Sequence, residues 1–316
     1  MYEEGQEYLN VTKLDGKRYG LAAFNEYAPD RCYVARGDLM DKYGIEALDS
    51  VEDVERYLDA IVNNEPEMIP FDMPGFQPYF MLNMWASDWG WAAVGSLSFG
   101  EHIYFDINDK DRKMFIAVER PEMREFSLKM KDWNTKGYFS KSILSNNISV
   151  QDSFRNGRSA LAWTANPASC NQIYNQFNKD DRKEWDVRFY PVYSKYQRMY
   201  NYLNQVVVIS EFSQNKAAAL QLLNEFYSNK ELYHLLKYGF KGVHYDVDDE
   251  GKCIDLNGEA YYDPIIGVIN MNYTIEPQLN FPQAEELVKK LKSFRVHDPI
   301  INCNMDFPEL RSVELA

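Results

Sequence analysis

From Val206 to Tyr245 the chain runs as a β-branched stretch, a long amphipathic segment and a shorter one halted by glycine. Val206-Val207-Val208-Ile209 is apolar without alternation, the pattern of a strand buried on both faces of an α/β sheet. Candidate N-caps crowd the stretch from Ser210 to Asn215, ahead of the helical run Lys216 to Tyr227. In that run Leu220, Leu223 and Tyr227 share one helical stripe, with Leu222 and Phe226 beside it. Ser228-Asn229 breaks the run. Lys230 to Lys237 then predicts a second helix through Leu232, Leu235 and Leu236, ended at Tyr238-Gly239 because glycine tolerates the left-handed terminal geometry. A strand feeding helices means α/β architecture, but it names no chemistry.

Residue order narrows the choice. The segment SQNKAAALQLLNEFYSNKELY (213–233), followed by KYGFKGVHY (237–245), resembles the extracellular solute-binding lipoproteins of bacterial carbohydrate ABC importers. The similarity is to the large lipoprotein branch of solute-binding family 1, whose fold is maltose-binding-protein-like. GKRYGL (16–21), VARGDLMDKYGI (34–45) and SVEDV (50–54) resemble that family's path into its second lobe. DSFRNGRSALAWTANP (152–167) resembles its ligand-facing strand and loop. Each piece is weak alone; their order carries the likeness.

The resemblance implies an α/β, two-lobe periplasmic-binding-protein-like fold (type 2). Residues 1–24 and 206–240 would belong to the first lobe, and residues 25–205 and 241–316 to the second. It also implies that the first lobe is incomplete. The family carries a secretion signal, a lipid-attachment cysteine and a βαβ unit upstream of the matching part, and continues beyond Phe307 to Ala316. Hinges are expected at Tyr19 to Ala28 and Tyr202 to Ser210, where a few residues absorb a rotation.

Composition excludes several partners. A net charge of −14 and a pI of about 4.8 argue against nucleic acid, which needs clustered Lys and Arg. No apolar run approaches the roughly 20 residues of a membrane span. The start, Met1-Tyr2-Glu3-Glu4, has neither the basic nor the apolar part of a signal peptide. Cys32, Cys170, Cys253 and Cys303 are scattered without a CxxC, so free and mostly buried thiols are expected, with no zinc site.

The remaining elements read from local signals. Ser50 with Asp53 approaches a capping box for a helix through Val54, Leu58 and Ile61. Pro- and Gly-rich 68–79 leads into an apolar helix from Phe80 to Trp91. Pro121 to Lys136 is helical with Phe126 and Met130 inward, Ser149 to Asp152 caps the next helix, and Ala160 to Trp163 is a strand.

A sugar presents hydroxyls on its rim and weakly apolar C–H faces, so its receptor needs flat aromatic rings beside amides, carboxylates or guanidinium groups. The chain has 6 Trp, 23 Tyr and 18 Phe. Trp163 and Asn166 directly follow a strand, where ligands of open α/β sheets gather. Asn25 and Tyr27 lie in the inter-lobe crossing, and Gln77 and Tyr79 in the loop before the apolar helix. Trp85 and Trp89, one helical turn apart, form either a stacking shelf or core packing. Tyr200, Asn204 and His244 complete the candidate ligand-binding set.

Catalytic signatures are lacking. Gly95 to Gly100 only superficially resembles a nucleophile elbow, and the four histidines include no HExxH. There is no Walker loop or dinucleotide fingerprint, so no cofactor is expected. Asp246 to Gly251 resembles the start of a calcium loop, yet position twelve is Asn257, and a solvated hairpin turn is the reading. The expectation is therefore a non-catalytic, lipid-anchored capture protein that closes on an oligosaccharide and delivers it to ABC importer permease subunits. The alternative is a secreted carbohydrate-active enzyme with an aromatic-lined cleft.

Overall fold

The structure, a computed structural model, describes residues 12–14, 16–22, 30–73, 78–93, 103–143, 145, 147–179, 182–192, 195, 197–198, 206–256, 268 and 270–296. Two compact units emerge. The larger comprises Pro29–Arg198 and Pro277–Val296, and the smaller Met1–Ala28, Met199–Glu276 and His297–Ala316.

Three two-residue strands come first and belong to the smaller unit: β1 (Lys13–Leu14), β2 (Lys17–Arg18) and β3 (Leu21–Ala22). The larger unit begins with β4 (Cys32–Ala35), whose four residues are all buried. Helix α1 (Gly37–Tyr43) ends at Gly44, held at φ +65° as the left-handed stop requires. Helix α2 (Val51–Asn64) starts where the Ser50 hydroxyl accepts the Asp53 N–H at 3.1 Å, as the sequence predicts. Its buried residues Val54, Leu58 and Ile61 follow the i, i+3, i+4 spacing, with Tyr57 beside them.

Strand β5 (Ile69–Phe71) and helix α3 (Pro78–Trp89) precede an antiparallel sheet of β6 (Trp91–Ala93), β7 (Ile103–Asp106) and β8 (Met114–Ile116). Helix α4 (Pro121–Lys136) buries Phe126 and Trp133 and stops at Gly137, φ +85°. Met130 is half-buried against the same core. Helix α5 (Val150–Arg155) then folds back through Asn156-Gly157 onto β9 (Ser159–Thr164), and α6 (Pro167–Lys179) follows at once. Strand β10 (Arg188–Pro191) completes the principal sheet, in the order β10-β4-β9-β5. Strand β9 is antiparallel to β4 and parallel to β5, with Cys32 opposite Thr164 and Phe71 opposite Leu161. Strand β11 (Gln197–Arg198) pairs in parallel with Arg295–Val296.

In the smaller unit β12 (Val206–Val207) departs from expectation. It is two residues long and pairs antiparallel with β3, leaving Val206 37% and Val208 64% exposed. An unbroken apolar run reads as doubly covered, but covering layers are supplied by distant chain that local pattern does not encode. Helix α7 (Lys216–Ser228) forms as predicted. Leu223, Phe226 and Tyr227 turn to a small core, while Leu220 and Leu222 stay exposed. Helix α8 (Lys230–Tyr238) is capped by Asn229, which accepts the Leu232 N–H at 3.1 Å, and is stopped at Gly239.

A hairpin of β13 (Tyr245–Val247) and β14 (Cys253–Asp255) follows. Asp248 accepts the N–H groups of Glu250 and Lys252 at 2.9 and 2.8 Å, so this turn closes on its own backbone. The described residues 241–256, 268 and 270–276 belong to the smaller unit, where Tyr238 binds both backbone groups of Ile275 and Tyr233 meets the Thr274 hydroxyl at 3.0 Å. Helix α9 (Ala284–Ser293) and β15 (Arg295–Val296) return to the larger unit.

Candidate functional site

The larger unit carries a polar cleft at the carboxyl end of β9. Because α5 runs back along β9, its first turn lies beside that strand's last residues. Gln151 marks the contact by donating to the Trp163 carbonyl at 3.0 Å. Helix α6 leaves from the same end, begun by Asn166, whose side chain accepts the Ser169 N–H at 3.0 Å. Two helix starts and one strand end thus surround a cavity of about 400 Å³, within the usual range of small-ligand sites.

Its lining is rich in hydroxyls and amides: Ser149, Gln151, Thr164, Ser169 and Gln172. The one lining carboxylate, Asp152, and the one guanidinium, Arg155, stand 3.7 Å apart, so formal charge cancels. Asp152 also receives the Ser149 hydroxyl at 2.6 Å. The Arg155 Nε has no hydrogen-bond partner among the described residues. A neutral wall with both donors and acceptors can bind a polyol.

The sequence-derived candidates fall in several places. Trp163 is half-buried, and strand alternation sends its ring to the face opposite Thr164, with the Arg31 guanidinium 6.0 Å from its centre. Asn166 borders the cleft as a helix cap. Trp85 packs edge-on against Phe126 and Trp133 at 5.3 and 5.6 Å, and Trp89 lies 4.8 Å from Trp91. Neither ring lines the cleft.

Tyr79 sits in the first turn of α3, and its side chain lies outside the described residues. So do Asn25, Tyr27, Gln77, Tyr200 and Asn204. His244 belongs to the smaller unit, where its Nδ1 accepts the Phe240 N–H at 2.9 Å and its ring closes the loop after Gly239. Gln151, Arg155, Ser169 and Gln172 were not among the sequence candidates. Their signal was the cap pair Ser149 and Asn166 on either side of one strand.

Among the described residues no three metal-binding side chains gather into a group, and no helix is long and apolar enough to cross a membrane. Cys32 and Cys170 are buried free thiols and Cys253 is a half-buried one; Cys303 lies outside the described residues.

Fold and residue order are similar to those of solute-binding proteins of ABC importers. The sequence is similar to a carbohydrate ABC transporter substrate-binding protein of Streptococcus pneumoniae, 24% identical over 246 residues, or 76% of this chain and 46% of the relative. The chain thus spans about half the length of the curated relative it matches. No protein-family model matches. The N-glycan transport solute binding protein NgtS of Streptococcus pneumoniae has the same fold, with a TM-score of 0.64 and 18% identity over 97% of this chain and 66% of that one. The alginate-binding protein AlgQ2 superposes with a TM-score of 0.68 and 16% identity, covering 99% of this chain and 67% of that one. The pneumococcal ABC-transporter substrate binding protein FusA, in complex with kestose, gives 0.66 and 14%, covering 99% and 69%. The family resemblance and the fold class read from the sequence are both borne out. These relatives are named for transport and binding rather than for catalysis.

Proposed function

We propose that this chain captures a neutral oligosaccharide for a bacterial ABC importer without making or breaking a bond. The observation that carries the proposal is the hydroxyl- and amide-lined cleft at the carboxyl end of β9, whose one carboxylate and one guanidinium cancel in charge. Gln151, Thr164, Ser169 and Gln172 bind the sugar rim, and Trp163, in β9 with its ring on the face opposite Thr164, is a proposed aromatic contact outside this wall. Asn25, Tyr27, Gln77, Tyr79, Tyr200, Asn204 and His244 are each proposed separately as ligand-binding residues. The protein acts outside the cell, lipid-anchored, and hands its sugar to permease subunits. Likeness in sequence to a carbohydrate transporter's binding protein supports this reading.

A thermal-shift series of neutral mono- and oligosaccharides, each incubation also assayed for new reducing ends, tests it. One oligosaccharide is expected to raise the melting temperature with no product released. Turnover of any glycan would move the protein to the carbohydrate-active enzymes, and indifference to every glycan would reject sugar capture.

A further inference from the structure

Asp152 and Arg155 stand three residues apart on α5, and both line the cleft. Their closest atoms, Asp152 Oδ1 and Arg155 Nη1, are 3.7 Å apart. That is near enough for the two charges to offset one another but too long for a hydrogen bond. Each side chain consequently keeps unused capacity. Among the described residues the Arg155 guanidinium makes no hydrogen bond, and its Nε is buried without a partner. Asp152 engages only Oδ2, which accepts the Ser149 hydroxyl at 2.6 Å, while its own N–H donates to the Ser149 oxygen at 3.0 Å. This reciprocal pair fixes the carboxylate. It leaves Oδ1, the oxygen nearest the arginine, without a hydrogen bond among the described residues.

We propose that Asp152 and Arg155 together read one free hydroxyl of the sugar, which accepts from an Arg155 Nη group and donates to Asp152 Oδ1. Two ordinary hydrogen bonds of about 2.8 Å close a triangle over the 3.7 Å gap. The chemistry of the gap selects the ligand group. A carboxylate satisfies the guanidinium but is repelled by Asp152, and an ammonium meets the reverse conflict. A methoxy oxygen accepts from Arg155 and leaves Asp152 without a donor, whereas a hydroxyl serves both. The pair thus favours a neutral sugar with a free hydroxyl here over a uronic acid or a sugar substituted at that oxygen. This inference rests on the capture reading for the ligand's being a sugar. The charge preference rests on the geometry of the pair.

Calorimetric titration of wild type, Asp152→Asn, Arg155→Met and the double variant with cellotriose, mannotriose, galactotriose and trigalacturonate tests the proposal. Asparagine keeps an oxygen for the Ser149 hydroxyl, and both positions are partly open to water, so melting should stay near wild type. Wild type is expected to reject trigalacturonate. Asp152→Asn should bind it about tenfold more tightly or better, because Arg155 then faces the carboxylate unopposed, and the double variant should lose that gain. Arg155→Met should weaken a neutral trisaccharide about tenfold. A merely structural role for the pair would move stability without this exchange of charge preference.

Three results would each overturn the pairing while leaving sugar capture intact: firm binding of trigalacturonate by wild type, no gain of it in Asp152→Asn, or equal affinity of Arg155→Met and wild type for a neutral trisaccharide. Should no neutral trisaccharide bind wild type, capture fails for this panel, and the trigalacturonate arm alone decides the pair.

Discussion

The carboxylate of Asp72, fully buried just past β5, accepts the Ser153 hydroxyl at 2.6 Å and so fixes α5 to the principal sheet. Arg158 approaches the same oxygen with its Nε at 3.0 Å. The helix held in this way presents Gln151, Asp152 and Arg155 to the cleft. Asp72→Ala strands a buried hydroxyl and an arginine without their acceptor, and should cost about 2–4 kcal/mol in urea unfolding. An unchanged midpoint would show that α5 is held by apolar contacts alone.

Cap and ligand roles at the β9–α6 turn can be separated. Asn166→Ala removes the cap of α6 and should cost about 1 kcal/mol of stability. Gln172→Ala alters an exposed side chain of the cleft, so its stability should stay within about 0.5 kcal/mol. Its affinity for a bound oligosaccharide should fall about tenfold in calorimetric titration, the loss of one good hydrogen bond. Equal affinity in Gln172→Ala and wild type would remove this wall of α6 from the binding site.

The aromatic cluster around Trp133 predicts a large packing effect. Trp133 is fully buried, with Trp85, Tyr138 and Phe139 rings at 5.6, 5.5 and 6.0 Å, and its indole N–H donates to Glu55. Trp133→Ala should destabilise by about 3–5 kcal/mol in chemical denaturation. A loss below about 1 kcal/mol would mean that the cavity collapses at little cost.

Buried phenols set an alkaline limit. Burial pushes Tyr227 up to about 12 and raises Tyr33, Tyr57 and Tyr138 as well; an Asp59 hydrogen bond adds to the rise at Tyr138. These phenols ionise near pH 10 in the unfolded chain and later in the folded one. Their contribution is therefore complete below about pH 10 and is lost as pH rises toward the folded values. Absorbance at 295 nm should show exposed tyrosines titrating first, then a cooperative step that coincides with loss of circular dichroism. A single smooth titration of all 23 tyrosines near pH 10 would contradict the burial.

Local signals were legible because their physics is local. Ser50, Asn229, Gly44 and Gly239 mark helix ends through hydrogen bonds or left-handed backbone within a few residues. Trp85 and Trp89 were ambiguous because a ring facing core and one facing ligand obey the same helical spacing. Val206 to Ile209 misled for a related reason: the number of layers over a strand depends on remote chain. Gln151, Arg155 and Gln172 look like ordinary polar helix surface. The fold-back of α5 along β9 and the departure of α6 from the same strand end make them neighbours of Thr164.

Among the described residues, the cluster around Tyr233 and Val268 in the smaller unit is slight beside the core that spans β4, α2, α4 and β9. Leu220, Leu222, Val208 and Phe212 meanwhile remain open to water. Warming should loosen these two bodies in succession, giving a broad or split calorimetric endotherm. A protease added at moderate temperature would then trim the α7–α8 region first and spare the sheet that carries the cleft.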